Sequence, residues 1–376
     1  MQPIIPVYDI MGNWGGTKAG FGNGKNGLAE LFRNKDNRGE NFNFLGNAYM
    51  EMKFLNHFTA RVNYGINFFS GYGRGFTFID WESNERLGSN TFRENHNRFR
   101  SWIFQQQVSY DNQFADHSVK ATALHESQLS SFRNINGRLD GYPIELQALW
   151  YLNTAFGDPG TRQVNSSGGT NNAKESYLGR VEYGFKGKYL INLTARYDQS
   201  SNFAADKGQL FGGVGAAWRV SDEDFMKNVS WINDLKLRAA WGVTGNDAID
   251  PNSNYSFFGG GPGTTFYDIN GTNSNVVTGY TATSAGEPVK WEKQHQYNIG
   301  IDAVLFENRL ETSIEYYIRE NKDFLFRPGQ PGTFPYTITP PFKNIGEISN
   351  TGVEFSATWR SNISKDLRYD VGVNLT

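Results

Sequence analysis

The chain has no cysteine. That excludes a disulfide framework, a thiolate metal site and a cysteine nucleophile. Long apolar runs are missing too: no stretch approaches the ~18–20 consecutive apolar residues a membrane-spanning helix needs, and mean hydropathy is −0.57. Helical spans are thereby excluded. A transmembrane β-wall is not, because only every second residue of such a wall faces lipid. Charge of one sign is in no excess, with a net charge of −2 and no basic block, so no nucleic-acid partner is expected. Histidines are few, and His57, His96, His117, His125 and His295 show no HExxH pattern and no i, i+4 pairing. With no convincing Ser or Asp partner near any of them in sequence, no enzyme is expected. The opening MQPIIPVYDI has neither a basic n-region nor an apolar h-region, so an export signal, if the protein has one, is expected upstream. No fixed-period repeat appears, which counts against propellers and β-helices.

What the sequence does have is aromatic residues (15%), 42 glycines and strict two-residue alternation. The alternation centres on 176–246. There Tyr189, Ile191, Leu193, Ala195 and Tyr197 alternate with Leu190, Asn192, Thr194, Arg196 and Asp198. A period of two puts each set on its own face of a strand. One face is apolar with tyrosines near its ends, and the other carries charges of both signs. The pattern predicts an all-β, antiparallel up-and-down transmembrane β-barrel wall, with lipid on one side and a wet lumen on the other. Expected lipid-facing residues are Tyr189, Ile191, Leu193, Leu237, Trp241, Ile299, Ile301, Leu310, Ile314, Tyr316, Val353 and Phe355. Expected lumen-facing residues are Arg180, Glu182, Asn192, Arg196, Lys236, Arg238, Glu311, Glu315 and Arg319. The carboxylates in that second set suit a hydrated wall and not acid–base chemistry.

Residues 1–41, rich in Gly, Asn and Lys, read as an extracellular loop region, and 42–376 as the barrel domain. Six hairpins follow, about twelve strands in all. They pair 46–54 with 58–69, 99–110 with 118–126, 176–186 with 189–198, 211–220 with 235–244, 296–305 with 310–319, and 352–360 with 367–376. Ser221 ahead of Glu223 and Asp224 suggests a short helical turn in the fourth link. Connections within hairpins are mostly short, with the Ser221–Asp234 link the exception, whereas those between hairpins (70–97, 127–175, 245–290 and 320–350) are often long. Short turns at one end and long loops at the other are the asymmetry of outer-membrane barrels. Val371, Val373 and Leu375 still alternate as the sequence stops, so a longer wall is expected, with a curved open sheet if this part stands alone.

The long loops carry Trp81, Trp150, Tyr151, Phe257, Phe258, Phe266, Tyr267 and Tyr280. Aromatic faces stack on sugar C–H surfaces, which makes these candidates for substrate contact, but they also serve as loop packing or as contacts to a partner. Asp247, Asp250, Asn252 and Asn254 offer a calcium-type oxygen cluster without EF-hand spacing, and ordinary turn chemistry accounts for the same residues. Apart from that calcium, no cofactor is expected. The glycines of FFGGGPGTTF lack the Lys and Ser/Thr of a P-loop, and GYGRGF lacks the strand-then-helix setting of a dinucleotide site.

The blocks SYLGRVEYGFKGKYLINLTARYDQSSNF, AAWRVSDEDFMKNVSWINDLKLRAAWGVTGN, VKWEKQHQYNIGIDAVLFENRLETSIEYYIRENKDFLF and NIGEISNTGVEF, in this order and spacing, resemble the SusC/RagA family of TonB-dependent outer-membrane transporters. The resemblance extends more weakly to IIPVYDIMGNW and LGNAYMEMKFLNHFTARVNYG, so it covers most of the chain. It implies a barrel of about 22 strands, location in the cell outer membrane, and uptake of a glycan or peptide oligomer. It also implies a SusD/RagB-like lipoprotein as lid, and TonB engaged through an N-terminal plug and box that have no counterpart here. The rival reading is a soluble or surface-exposed β-rich carbohydrate-binding protein, which would bury the apolar face under a second sheet.

Overall fold

The computed structural model describes residues 5–16, 24–83, 86–153, 155–166, 170–250, 253–260, 266–268, 276–278, 280–329 and 338–376. Among the described residues one α-helix, α1 (Gly27–Asn34), precedes the first strand. Its cap is Asn26, whose Oδ1 accepts the N–H groups of Leu28 and Ala29 at 3.2 and 3.3 Å. The Asn26 Nδ2 donates to the carbonyls of Val7 and Gly15, both at 2.9 Å. The region read as loop up to residue 41 therefore contains a helix, and strand begins at Arg38. Its signal was in the sequence: a capping Asn ahead of an acidic first turn at Glu30.

The strands are β1 (Arg38–Phe54), β2 (Phe58–Thr77), β3 (Thr91–Phe114), β4 (His117–Asp140), β5 (Gln163–Ser166), β6 (Thr170–Phe185), β7 (Tyr189–Ser200), β8 (Gly208–Arg219) and β9 (Ile232–Asn246). Short segments β10 (Phe257–Gly260), β11 (Phe266–Asp268), β12 (Val276–Thr278) and β13 (Tyr280–Ser284) come next. The chain continues with β14 (Glu292–Leu305), β15 (Leu310–Lys322), β16 (Leu325–Phe326), β17 (Lys343–Asn344), β18 (Glu347–Asn362) and β19 (Arg368–Leu375). One sheet runs β1-β2-β3-β4-β6-β7-β8-β9-β14-β15-β18-β19, with β5 added to β4. Every neighbour in that path is the next long strand in the chain, so the topology is up-and-down and antiparallel.

Two differences from the sequence reading share one cause. Strands β3 and β4 are far longer than the expected 99–110 and 118–126, and the expected loops 70–97 and 127–175 shrink accordingly. Apolar–polar alternation marks a strand only where its two faces meet different media. Beyond that zone the alternation lapses, as in RENHNR and SSFRNINGR, while the backbone ladder goes on.

Contacts divide the chain into two units: Met1–Asn47 with Gly65–Trp102 and Ser130–Asn171, and Ala48–Tyr64 with Ile103–Leu129 and Asn172–Thr376. The first has a core of Phe76, Phe92, Leu139, Tyr142 and Trp150. The second has a core of Phe203, Phe211, Ile249, Val289, Trp291 and Leu325, where the Trp291 Nε1–H donates to the Lys207 carbonyl at 3.1 Å.

Within hairpins the turns are tight and use left-handed backbone, at Leu55 and Asn56, at Lys186 and Gly187, and at Phe306, Glu307 and Asn308. The fourth link holds two single 3-10 turns, Val220–Asp222 and Asp224–Met226, near the place expected for a helical turn. Between them, Glu223 fastens three groups. Its carboxylate accepts from the Tyr189 hydroxyl at 2.7 Å, the Trp218 Nε1–H at 3.0 Å and the Lys188 Nζ at 3.1 Å. These bonds, that from Tyr189 first, pull its carboxyl from 4.5 down to about 2.

A carboxylate held below its free value stabilises the fold above the free pKa, and that contribution is lost as pH falls through the folded one. Folded protein is therefore expected to lose heat resistance as pH drops from about 4.5 toward 2. Glu223→Gln should start less stable at neutral pH and show a flatter acid dependence in the same melting series. Parallel acid profiles for the two proteins would contradict the clasp.

Candidate functional site

Backbone register sorts the side chains of the second unit onto two faces. On the apolar one, Leu193 lies opposite Val181 and Val214, and Val214 opposite Trp241. Trp241 then faces Tyr297, Ile299 faces Tyr316, Ile301 faces Ile314, and Tyr316 and Ile314 face Val353 and Phe355. Tyr189 and Leu237 join this face through Trp218, and Leu310 through Trp359. The twelve residues expected to meet lipid thus lie on one continuous face. Leu193 is 52% exposed and Ile299 64% exposed, with no second sheet over them among the described residues. Aromatic rings gather at its turn end, where Tyr189 stacks on Trp218 at 6.4 Å and Trp231 on Phe306 at 6.0 Å.

The other face is polar and self-paired. Arg238 reaches Glu315 and Asp302, Lys236 pairs with Asp302 at 3.0 Å, and the Ser313 hydroxyl donates to Asp302 at 2.8 Å. Asn298 Nδ2 donates to Glu315. A second network crosses five strands: Asn63 donates to Gln105 at 3.0 Å, Gln105 to Glu126 at 2.6 Å, and Arg196 to Glu126 at 3.2 Å. Arg196 also donates to Asp198 at 2.7 Å and to the Ser176 hydroxyl at 3.0 Å. Of the remaining residues expected on this face, Arg180 pairs with Glu182 at 2.6 Å and Glu311 with Arg360 at 2.7 Å. Arg319 lies over the Tyr317 ring at 6.0 Å, and Asn192 crosses Gly215.

The sequence reading put Asn63 on the polar side of its strand but named neither Asp302, Asn298 and Ser313 nor Gln105 and Glu126. The first three alternate with Ile299, Ile301 and Ile314, so parity alone could have found them. Beside the second network an open depression of about 380 Å³ is lined by Thr194, Arg196, Asp198, Phe211 and Thr244 over Gly213 and Gly242.

Gly300 lies directly beneath the Arg238 guanidinium of the first network. A Cβ there would stand 2.8 Å from Arg238 Cζ, in the path the guanidinium takes to its carboxylates. Gly300→Val is expected to cost about 1–3 kcal/mol by overpacking, read as a lower denaturant midpoint. A midpoint equal to the parent's would show that Arg238 has room to spare.

The loop aromatics divide. Trp150 is 2% exposed and stacks on Phe76 at 4.9 Å with an interplanar angle of 6°. It builds a loop core and offers no face to a ligand, which corrects its place among the candidates. Its neighbour Tyr151 is 56% exposed, Trp81 lies open under the Arg86 guanidinium at 5.0 Å, and Phe258 is 70% exposed. Phe257 is exposed and pairs through its backbone with Ser284. Backbone pairing also joins Phe266 to Thr278, Tyr267 to Val277, and Tyr280 to Gly260.

Of the oxygen cluster offered for calcium, Asp247 is already engaged. Its carboxylate is taken up by Lys174 Nζ and the Ser200 hydroxyl, both at 2.7 Å, so a cation would have to displace an ammonium group. Asp250 accepts the Ser253 N–H on its carbonyl, and Asn254 donates to the Asn202 carbonyl at 2.5 Å. Asn252 lies outside the described residues. Among the described residues no three His, Asp or Glu side chains gather to hold a metal.

Comparison with known proteins completes the picture. The family described as "TonB dependent receptor-like, beta-barrel" matches residues 11–376. TonB-dependent receptor P26 of Formosa agariphila is 28% identical over 366 residues, covering 94% of this chain and 35% of its own length. TonB-dependent receptor SusC of Bacteroides thetaiotaomicron is 32% identical over 216 residues, 55% of this chain and 20% of its own. The solved structure of the RagAB peptide transporter superposes with a TM-score of 0.79 at 22% identity, over 98% of this chain and 40% of that one. The chain spans about a third or less of the curated relatives it matches.

Proposed function

The chain belongs to the TonB-dependent receptor-like β-barrel family, whose members sit in the outer membrane, and from that premise we propose that it forms wall and outer loops of a nutrient importer. In this reading the apolar face meets lipid and the polar face lines the passage. The cargo is a glycan or peptide oligomer, met first by the exposed loop aromatics Trp81, Tyr151, Phe257 and Phe258. A SusD/RagB-like lipoprotein closes over the loops, and TonB drives release. The chain carries no covalent chemistry of its own.

The observation that carries this proposal is the two-sided sheet. An uncovered apolar face ends in aromatic rings, and the opposite face is stitched by ion pairs that suit water and not oil. The rival soluble sandwich requires that apolar face to be buried against a second sheet, and Leu193 and Ile299 are exposed.

The test uses the complete transporter in its native cell. Uptake of oligosaccharide and peptide pools is compared between the parent and a strain lacking the protein. The proposal expects one pool to enter by an energy-dependent route only in the parent. Equal uptake of every oligomer by both strains, with the protein recovered without detergent, would refute it.

A further inference from the structure

The face of the first unit that continues above its apolar rows carries arginines without carboxylate partners. Ser70 of β2 bonds His96 of β3 at 3.0 Å, and Tyr72 bonds Glu94 at 2.6 Å. These two contacts fix which side chains share the face. By alternation Phe68 and Ile66 follow on β2, while Arg98, Arg100 and Trp102 follow on β3. Arg100 Nε donates to the Ser131 hydroxyl at 3.0 Å, which brings Arg133, two residues on along β4, to the same side. Arg98, Arg100 and Arg133 are exposed, and none forms an ion pair with a described carboxylate. Lys322, at the end of β15, behaves differently: it pairs with Glu320 at 3.3 Å and with Glu347 at 3.4 Å.

The border at which they stand is aromatic. Phe42 of β1 contacts Phe68 at 6.2 Å between ring centroids, and Trp102 follows Arg100 on β3. Aromatic rings at the end of an apolar band mark the membrane–water interface. Long arginine stems lie along such apolar rows while their guanidinium groups reach the aqueous side. The arginines lie toward the long-loop end of the strands, the outward end in barrels of this kind.

We propose that Arg98, Arg100 and Arg133 form a docking surface for the phosphorylated headgroup of the outer-leaflet glycolipid. The proposal rests on the lipid-facing reading of the apolar face given above. Charge complementarity selects this occupant. Planar guanidinium forks match phosphate oxygens, and an outward face at lipid-headgroup depth meets membrane anions before any solute. Among the described residues no carboxylate pairs with these three guanidinium groups, which leaves them open to that contact.

The test uses the full-length transporter in nanodiscs containing phosphorylated glycolipid, the dephosphorylated glycolipid or neither, with retained lipid counted by mass spectrometry. The parent is expected to hold the phosphorylated form selectively, and millimolar inorganic phosphate should not displace it. A triple variant, Arg98→Gln with Arg100→Gln and Arg133→Gln, should bind it roughly a hundredfold more weakly, each arginine near an anionic surface contributing about a factor of five. Equal retention by parent and triple variant overturns the proposal, as does equal retention of the two glycolipids. Displacement by phosphate alone overturns it too, because it marks a soluble-anion site.

Phe68→Cys separates this proposal from the reading beneath it. Labelling only by a membrane-partitioning maleimide places that row in lipid. Ready labelling by a water-soluble one defeats both readings. Equal lipid retention while the introduced thiol stays shielded from water defeats only the docking surface.

Discussion

Leu193→Arg is expected to leave little folded, heat-modifiable protein in the outer membrane, while Asn192→Arg stays near the parent level. The two positions are adjacent on β7 and differ in the face they present. Leu193 lies between Val181 and Val214, near the middle of the apolar row from Tyr189 to Tyr197. A guanidinium there meets hydrocarbon at mid-depth, at a cost of about 2–4 kcal/mol. The residues directly opposite it on both neighbouring strands are valines, and neither can take up a charge. Asn192 instead shares its side with Glu182, its register partner on β6, so an arginine finds an acceptor and water. The measurement is the gel shift on boiling, on membrane fractions from cells expressing each full-length variant. Equal loss in both would mean that the faces are assigned wrongly.

The second large effect separates two aromatics that sit side by side in the chain. Trp150→Ala is expected to destabilise the outer loop core by about 3–5 kcal/mol, because the indole is stacked between structural rings and not displayed. The readout is hydrogen exchange and protease cleavage across 141–162, with the membrane-embedded strands still protected. Tyr151→Ala should leave that protection intact and instead weaken cargo capture, since its ring is exposed. If Trp150→Ala keeps the loops protected but lowers cargo affinity, the packing role given to Trp150 is wrong.

These two pairs also show what the sequence could and could not tell. The faces of β6, β7, β9, β14, β15 and β18 were legible because each separates two media, so Leu193 and Asn192 announced themselves by parity. The upper halves of β3 and β4 were not. Around Asn95 and Asn134 apolar and polar residues no longer alternate, and no local pattern says that the ladder continues. Nor does local sequence say that Phe76, Phe92, Leu139 and Trp150, separated by up to 74 positions, meet in one cluster. That is settled by strand pairing, the non-local part of the problem. The lumen charges were legible as a class, but their wiring was not. Asp302 receives both Lys236 and Arg238 only because β14 pairs with β9 in a particular register.

The strictly sequential order of neighbours has a consequence for how such a wall comes to exist. Because no strand must thread between two others already in place, each new hairpin can zip onto the last edge laid down, and growth proceeds in one direction along the polypeptide. The same property makes the wall editable over evolutionary time. Duplicating or losing one strand–turn–strand module changes its width by two staves and leaves every other seam intact.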